Sequence, residues 1–132
     1  MLQIGILNPH VLGLVARIRH TNTLVIADRA FPFWPEIETV DLSLTEGIPT
    51  VLNVLDALRP NFKVGRIRQA AEFLGTNSDP TIQRFDEAFA GFPEASVERL
   101  PHRDFKAFVS GAIGLIRTGD PTAYGNLILE SV

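Results

Sequence analysis

The sequence contains no cysteine, and its 132 residues include a single methionine, a single tryptophan and only three histidines. Disulfide bonds and thiol chemistry are therefore excluded, and a histidine-rich metal cluster is not expected. No run of apolar residues is long enough to span a membrane. A chain of this length can instead bury one hydrophobic core, so we expect one folded domain over residues 1–132.

Charge of one sign is not in large excess either, since the net charge is -3. The chain is 45% hydrophobic and 20% charged, which is typical of a soluble globular protein. No basic surface is indicated, which argues against nucleic acid as a partner. The N-terminal segment lacks the basic start and long apolar run of a secretory signal, so we expect a cytoplasmic protein.

Helical and strand patterns alternate along the chain. This alternation predicts an α/β protein, a three-layer α/β/α domain with a mainly parallel sheet. The predicted strands are Thr23–Ala27, Val40–Leu44, Phe62–Ile67, Ser96–Leu100 and Asn126–Leu129. The predicted helices begin after Asn8, which precedes Pro9, after Gly47, at Asp79 and at Arg103, and the last of them runs to Arg117 with Gly119 just beyond its end.

Two polar residues directly follow predicted strands. Asp28 comes after Thr23–Ala27, and His102 comes shortly after Ser96–Leu100. In open α/β sheets, ligands bind at the carboxyl ends of the strands. Position alone does not decide their role, because either residue is also suited to a turn or a helix start.

Four blocks of sequence, in order and with compatible spacing, resemble the ribose pyranase / fucose mutarotase family. The similarity extends over essentially the whole chain, and its specificity comes from the order of the blocks rather than from any one of them. The blocks are Ile6–Asn8 with His20–Val25, Asp28 and Pro32; Leu44–Pro49; His102, Phe105 and Lys106; and Ile116–Asp120 with Tyr124, Asn126 and Ile128.

This resemblance implies a monosaccharide ring-form isomerase, a pyranase or mutarotase acting on ribose, fucose or a related sugar without a metal or other cofactor. It also implies a homo-oligomer, typically a decamer, with its sites at subunit contacts. The alternative is a non-catalytic protein that binds sugar or serves its transport. The implied residues are His20 as acid–base group, Tyr124 as its catalytic partner, Asp28, His102 and Asn126 as binders of sugar hydroxyls, and Lys106, Arg117 and Arg29 as further substrate-binding candidates.

The chain departs from the family pattern beside the expected site. Arg19 replaces the glycine that usually precedes the catalytic histidine, and Asn22 replaces an aspartate. Arg29-Ala30 stands where ribose pyranases favour Ala-Gly. Arg29 could pair with Asp28, or it could contact an anionic or differently hydroxylated substrate.

Opening a cyclic hemiacetal requires removal of a proton from the anomeric hydroxyl and delivery of one to the ring oxygen. An imidazole titrates near pH ~6.5 and can do either at neutral pH. Asp, Asn, His and Tyr side chains supply both donors and acceptors for sugar hydroxyls. The residue types of the implied set therefore suit the implied chemistry.

The order of residues along the chain separates the implied groups. His20 precedes the first strand and Asp28 follows it, and a five-residue strand spans roughly 17 Å. Tyr124 and Asn126 precede the last strand, whereas His102 follows one. We therefore predict a site shared between subunits, in which one copy contributes the residues at strand exits and its neighbour contributes Tyr124 and Asn126.

The segment Ala30–Pro35 is aromatic and bounded by prolines. Two prolines rule out a regular helix or a central strand there. Phe31, Phe33 and Trp34 are too apolar for a freely solvated loop. We expect them to pack at the edge of the core or at a subunit contact, and the alternative is that Trp34 stacks on a sugar.

Overall fold

A computed structural model describes all residues from 1 to 132 and contains one six-stranded sheet with helices on both faces. The predicted α/β class is confirmed. The strands are β1 (Thr23–Ala27), β2 (Glu38–Asp41), β3 (Val64–Ala70), β4 (Ser96–Leu100), β5 (Gly114–Arg117) and β6 (Leu127–Ser131). The helices are α1 (Pro9–Val15), α2 (Val51–Leu58), α3 (Glu72–Thr76), α4 (Asp79–Ala90) and α5 (His102–Ala107), which a 3-10 turn at Val109–Gly111 follows. Every helix falls short of the length and apolar character that crossing a bilayer requires.

The direction of β6 determines where the ends of the strands meet. The strand order is β2-β5-β1-β6-β3-β4, and β6 is antiparallel to both β1 and β3. The other three pairs are parallel. Consequently, the start of β6 lies at the same edge of the sheet as the ends of β1, β3 and β4.

Alternating residues of β1 enter two separate hydrophobic clusters. Leu24 and Ile26 belong to the larger cluster, which packs under α1, α2 and α4. Val25 and Ala27 belong to the smaller cluster on the opposite face, under α5 and the aromatic segment. Burial on both faces explains why this strand is apolar throughout.

Two helix starts follow from local sequence. The Asn8 side chain accepts hydrogen bonds from the backbone N–H groups of His10 and Val11 at 2.9 and 3.0 Å, as expected of an N-cap. At the second start, Thr50 and Asn53 form a reciprocal capping box. The helix predicted after Gly47 accordingly begins at Val51.

The predicted helix from Arg103 to Arg117 is wrong. The helix ends at Ala107, and Gly114–Arg117 forms β5 between β1 and β2. Leu115 and Ile116 are fully buried, one in each hydrophobic cluster. A short apolar segment buried on both faces has no helical or strand periodicity of its own, so its pairing with β1 and β2 decided its structure.

Smaller differences concern strand bounds and one missed helix. The second predicted strand begins and ends earlier, at Glu38–Asp41, because Asp41 and Ser43 form a turn. β3 extends to Ala70 and β6 to Ser131, where pairing continues beyond the predicted ends. The helix α3 is too short, at five residues, for a periodic pattern to reveal it.

Gly119 does not end a helix, which corrects its predicted role. It follows β5 and lies against the turn at Thr45–Ile48, with its N–H donating to the Pro49 carbonyl at 2.9 Å. A β-carbon at this position would overlap the Thr45 carbonyl oxygen and lie 2.8 Å from that of Ile48. Backbone contact therefore requires glycine here.

We expect Gly119→Ala to lower the free energy of unfolding by about 1–3 kcal/mol, because the new methyl meets backbone that cannot rotate away. Gly13→Ala is the control, since its β-carbon would meet nothing within 4 Å. Because Gly13 lies within helix α1, Gly13→Ala should raise the free energy of unfolding by about 0.5–1 kcal/mol. Urea unfolding followed by circular dichroism measures both, and equal stability of the two variants would contradict the close-approach explanation.

Candidate active site at the strand ends

A cleft of about 370 Å³ opens at the sheet edge where β1 and β4 end and β6 begins. This volume falls within the usual range for small-molecule sites. Its lining combines polar and aromatic side chains. The lining residues are Asp28, Ala30, Phe31, Pro32, His102, Lys106, Ala123, Tyr124 and Asn126.

Asp28 and Asn126, which both line the cleft, form a reciprocal hydrogen-bonded pair. The Asp28 N–H donates to Asn126 Oδ1 at 2.7 Å, and Asn126 Nδ2 donates to Asp28 Oδ2 at 3.0 Å. The other carboxylate oxygen accepts the Ala30 N–H at 2.9 Å. Both side chains are buried, so each fixes the orientation of the other. Each carboxylate oxygen keeps a second lone pair for a ligand hydroxyl.

Burial raises the pKa of Asp28 above its usual 3.8, while the hydrogen bonds from Ala30 and Asn126 oppose that change. The Asp120 carboxylate adds a smaller effect in the raising direction. The cleft thus contains a carboxyl group whose environment favours the protonated form more than water does. Such a group can accept or donate hydrogen bonds to a polyhydroxylated ligand.

His102 is the first residue of α5 and lines the same cleft as Asp28. Its imidazole lies edge-on to the Tyr124 ring, with centroids 5.1 Å apart, and stacks on Phe105 at 6.2 Å. Its Nδ1 is buried without a hydrogen-bond partner. Burial lowers the pKa of His102 below 6.5, and the Lys106 charge lowers it further, whereas Glu72 and Asp28 raise it. The surroundings therefore favour the neutral imidazole over the charged one.

This lowered pKa predicts acid sensitivity. The unfolded chain binds a proton at the usual pKa of 6.5, but the folded chain resists doing so, so stability falls as the pH decreases through 6.5 toward the folded pKa. Compared with His102→Gln, the native protein should lose stability as the pH falls through 6.5. Urea unfolding at several pH values measures the difference. His10→Gln, which changes an exposed side chain, should track the native protein, and parallel pH curves for native protein and His102→Gln would refute the assignment.

Tyr124 is held in an uncommon backbone conformation. Its φ is +56°, in the left-handed region. Two hydrogen bonds fix the preceding residues: the Thr122 N–H donates to Asp120 Oδ1 at 2.8 Å, and Asn77 Nδ2 donates to the Ala123 carbonyl at 2.9 Å. Non-glycine residues in this region persist where surrounding contacts enforce them, often at functional sites.

The structure brings five of the sequence-predicted residues together and leaves His20 apart. The five share the cleft within a single chain. His20 is exposed at the opposite edge of the sheet, before β1. The five that line the cleft are Asp28, His102, Lys106, Tyr124 and Asn126.

The predicted division of these residues between two subunits is wrong for Tyr124 and Asn126. They precede β6, and β6 runs antiparallel to β1. The start of β6 therefore meets the end of β1, beside Asp28. Only His20 remains at the far end of the strand.

Neither additional arginine lines the cleft. Arg29 does not pair with Asp28 as considered above, because its guanidinium binds the Glu46 carboxylate at 2.7 Å on the surface. Arg117 ends β5 beside Asp41, and its Nε is buried without a hydrogen-bond partner. Trp34 also stays outside the lining and stacks on Phe31 with centroids 6.4 Å apart, which agrees with packing at the core edge.

Sequence reasoning assigned no role to two acidic residues outside the cleft, Glu72 and Asp120. Glu72 accepts the His102 N–H with both carboxylate oxygens, and Asp120 accepts the N–H of Val51 at the start of α2. Both contacts join segments at least thirty residues apart, so no local pattern could reveal them. No group of three or more His, Asp or Glu side chains could hold a metal ion.

Fold and cleft define a small-molecule-binding α/β protein whose buried polar groups suit a ligand rich in hydroxyls. Residues 1–132 match the RbsD / FucU transport protein family, and the chain belongs to that family. A D-ribose pyranase of Geobacillus kaustophilus is 39% identical over 127 residues, which cover 96% of this chain and 90% of the relative. A D-ribose pyranase of Bacillus subtilis is 35% identical over 127 residues, with 96% and 94% covered.

Two solved structures have folds similar to that of this chain. The Bacillus subtilis RbsD complexed with D-ribose superposes with a TM-score of 0.87 at 34% identity, covering 99% of this chain and 97% of that one. A fucose mutarotase in complex with L-fucose from Streptococcus pneumoniae has a TM-score of 0.75 at 17% identity, covering 94% and 91%. At that lower identity the likeness concerns the fold alone.

Proposed function

We propose that this protein is a cytoplasmic isomerase that interconverts the ring forms of a monosaccharide, with D-ribose as the first substrate to test. The observation that carries the proposal is the cleft itself, in which Asp28, His102, Tyr124 and Asn126 converge. It is joined by near full-length similarity to D-ribose pyranases. No cofactor is needed, because ring opening is a pair of proton transfers.

Hydrogen bonds to the sugar hydroxyls would come from the base and sides of the cleft. Free lone pairs of the Asp28 carboxylate accept hydrogen bonds from sugar hydroxyls. The neutral form of the His102 ring offers one donor and one acceptor. Lys106 adds a donor from the next turn of α5. The Asp28–Asn126 pair is fixed before the sugar arrives, which reduces the entropy lost on binding.

Catalysis would require two proton-transfer groups. One removes the proton of the anomeric hydroxyl, the other protonates the ring oxygen, and the bond between the anomeric carbon and the ring oxygen breaks. The open-chain aldehyde then closes through a different hydroxyl or on the opposite face. We assign these proton transfers to His20 and to the Tyr124 hydroxyl.

His20 would reach the sugar from a neighbouring subunit. Within its own chain, β1 separates it from Asp28 by roughly 17 Å. Its turn is rigid: Thr21 has φ +66° and donates its N–H to the Ser131 carbonyl at 2.9 Å, and Asn22 Oδ1 accepts the Arg19 N–H at 2.9 Å. Asn22 thus orders the turn although the family has aspartate there.

Assembly into a homo-oligomer, a decamer by family resemblance, is part of the proposal. Phe33 is 69% exposed and Phe108 42% exposed, which fits surfaces that another copy covers. Arg29 and Arg117 lie outside the cleft of their own chain, so we assign them no substrate contact there. A non-catalytic sugar-binding role is less well supported, because the similar full-length relatives are named pyranases.

Two-dimensional exchange NMR on D-ribose tests the activity directly. Added protein should raise the exchange rate between pyranose and furanose signals well above the buffer rate, in proportion to its concentration. L-Fucose, run in parallel, tests the related mutarotase reaction. Saturable ribose binding without accelerated exchange of either sugar would favour the non-catalytic role.

A further inference from the structure

The short helix α3 touches the cleft from outside through its first residue. Glu72 accepts the backbone N–H of His102 at 2.8 and 3.1 Å, one distance to each carboxylate oxygen. The residue before His102 is Pro101, which gives α5 no side-chain cap of its own. Glu72 therefore caps α5 from another element, and a carboxylate is favourable at a helix N-terminus.

Asn77, the residue just beyond the other end of α3, contacts the loop that carries Tyr124. Asn77 Nδ2 donates to the Phe73 carbonyl at 3.0 Å and to the Ala123 carbonyl at 2.9 Å. Asn77 thus attaches the residue before Tyr124 to the end of α3. This bond helps to enforce the left-handed backbone of Tyr124.

We propose that Glu72 and Asn77 are positioning residues, which act from the two ends of one helix to fix the distance between His102 and Tyr124. Neither lines the cleft, and each acts on a backbone group beside a residue that does. Phe73, between them, is fully buried in the core and anchors α3. The inference rests on the proposed function, since it concerns the reaction of the same cleft.

The contact that Glu72 and Asn77 would fix is the one between the His102 and Tyr124 rings. The rings of His102 and Tyr124 meet edge-on at 5.1 Å, and no hydrogen bond between the two side chains fixes that arrangement. Without the two outside bonds, the start of α5 and the loop at Tyr124 could separate. A displacement of about 1 Å in a catalytic site can cost on the order of a hundredfold in rate.

Four variants test the proposal by ribose exchange NMR, with KM and kcat determined separately. Glu72→Ala and Asn77→Ala should each lower kcat by about tenfold or more. Glu72→Gln should keep most of kcat, because its amide oxygen still accepts the His102 N–H. Thr76→Ala is the control on the same helix, since its hydroxyl bonds only to the Glu72 carbonyl within α3, and it should behave as the native protein.

A second readout does not depend on activity. The charged groups around His102 are Glu72 on α3, Lys106 on α5 and Asp28 at the end of β1. Glu72→Gln removes one of the two charges that raise the pKa of His102, so the NMR titration of its imidazole should shift to lower pH. Thr76→Ala should leave that titration unchanged.

The outcomes separate the two proposals. Native protein that exchanges ribose, with Glu72→Ala and Asn77→Ala both matching Thr76→Ala in kcat, would overturn the positioning role and leave the function intact. Native protein without exchange would overturn the function. An unshifted His102 titration in Glu72→Gln would show that the Glu72 carboxylate does not lie beside His102, and this would overturn the positioning role too. The positioning role is supported if Glu72→Ala lowers kcat and Glu72→Gln keeps most of the native kcat.

Discussion

Replacement of His20 by alanine is expected to reduce catalysed ribose exchange by about 100-fold or more, since general acid–base groups contribute that much. Ribose affinity should change little, because the cleft residues all lie at the other end of β1. Exchange NMR gives the rate, and calorimetry gives the affinity. His10→Ala, an exposed histidine outside the cleft, is the matched control and should keep the native rate.

Oligomers assembled from two different variants test whether His20 acts across a subunit contact. His20→Ala keeps an intact cleft, and Asp28→Asn keeps an intact His20. If each site combines the cleft of one copy with His20 of its neighbour, a co-assembled equal mixture should regain about a quarter of native activity, because a ring brings the two intact halves together at random. No recovery in mixtures proven to co-assemble would show that His20 does not act across a subunit contact.

Disruption of the Asp28–Asn126 pair should have the second large effect, on both the free energy of unfolding and ribose affinity. Asn126→Ala leaves the Asp28 N–H and one carboxylate oxygen buried without partners, which should cost about 1–3 kcal/mol in the free energy of unfolding. Ribose affinity should fall at least about tenfold, because Asp28 is no longer held toward the cleft. Urea unfolding and calorimetry measure the two losses. Asn61→Ala, at an exposed position outside the cleft, is the control.

Asn126→Asp adds a pH dependence of known sign. Two carboxyl groups would then lie about 3 Å apart, and their repulsion raises the pKa of the pair in the folded state. A folded-state pKa above the unfolded value means that stability is present at low pH and is lost as the pH rises through it. Relative to native protein, this variant should be weakest near pH 7 and recover toward pH 4. A deficit independent of pH would contradict the buried pairing.

Much of the site could be anticipated because Asp28 and His102 follow recognisable strands and the family resemblance covers the whole chain. Position at strand ends makes Asp28 and His102 candidates, and only the family resemblance gives them a role and adds Tyr124, Asn126 and Lys106. All five line one cleft. Glu72 and Asn77 could not be anticipated, because each acts on a backbone group 30 or 46 residues away.

The amino-acid sequence by itself determined that the protein has no disulfide bond or thiol chemistry. It also determined the Asn8 cap, the bounds of β1 and β4, and the α/β class. These features depend on neighbouring residues, whose periodicity and capping groups are local. Only the tertiary structure decided that 114–117 is a strand and that β6 runs antiparallel, and so brings Tyr124 and Asn126 to Asp28. Strand direction and pairing depend on which distant segments bury each other, and that physical information is shared across the whole chain rather than stored in any one segment.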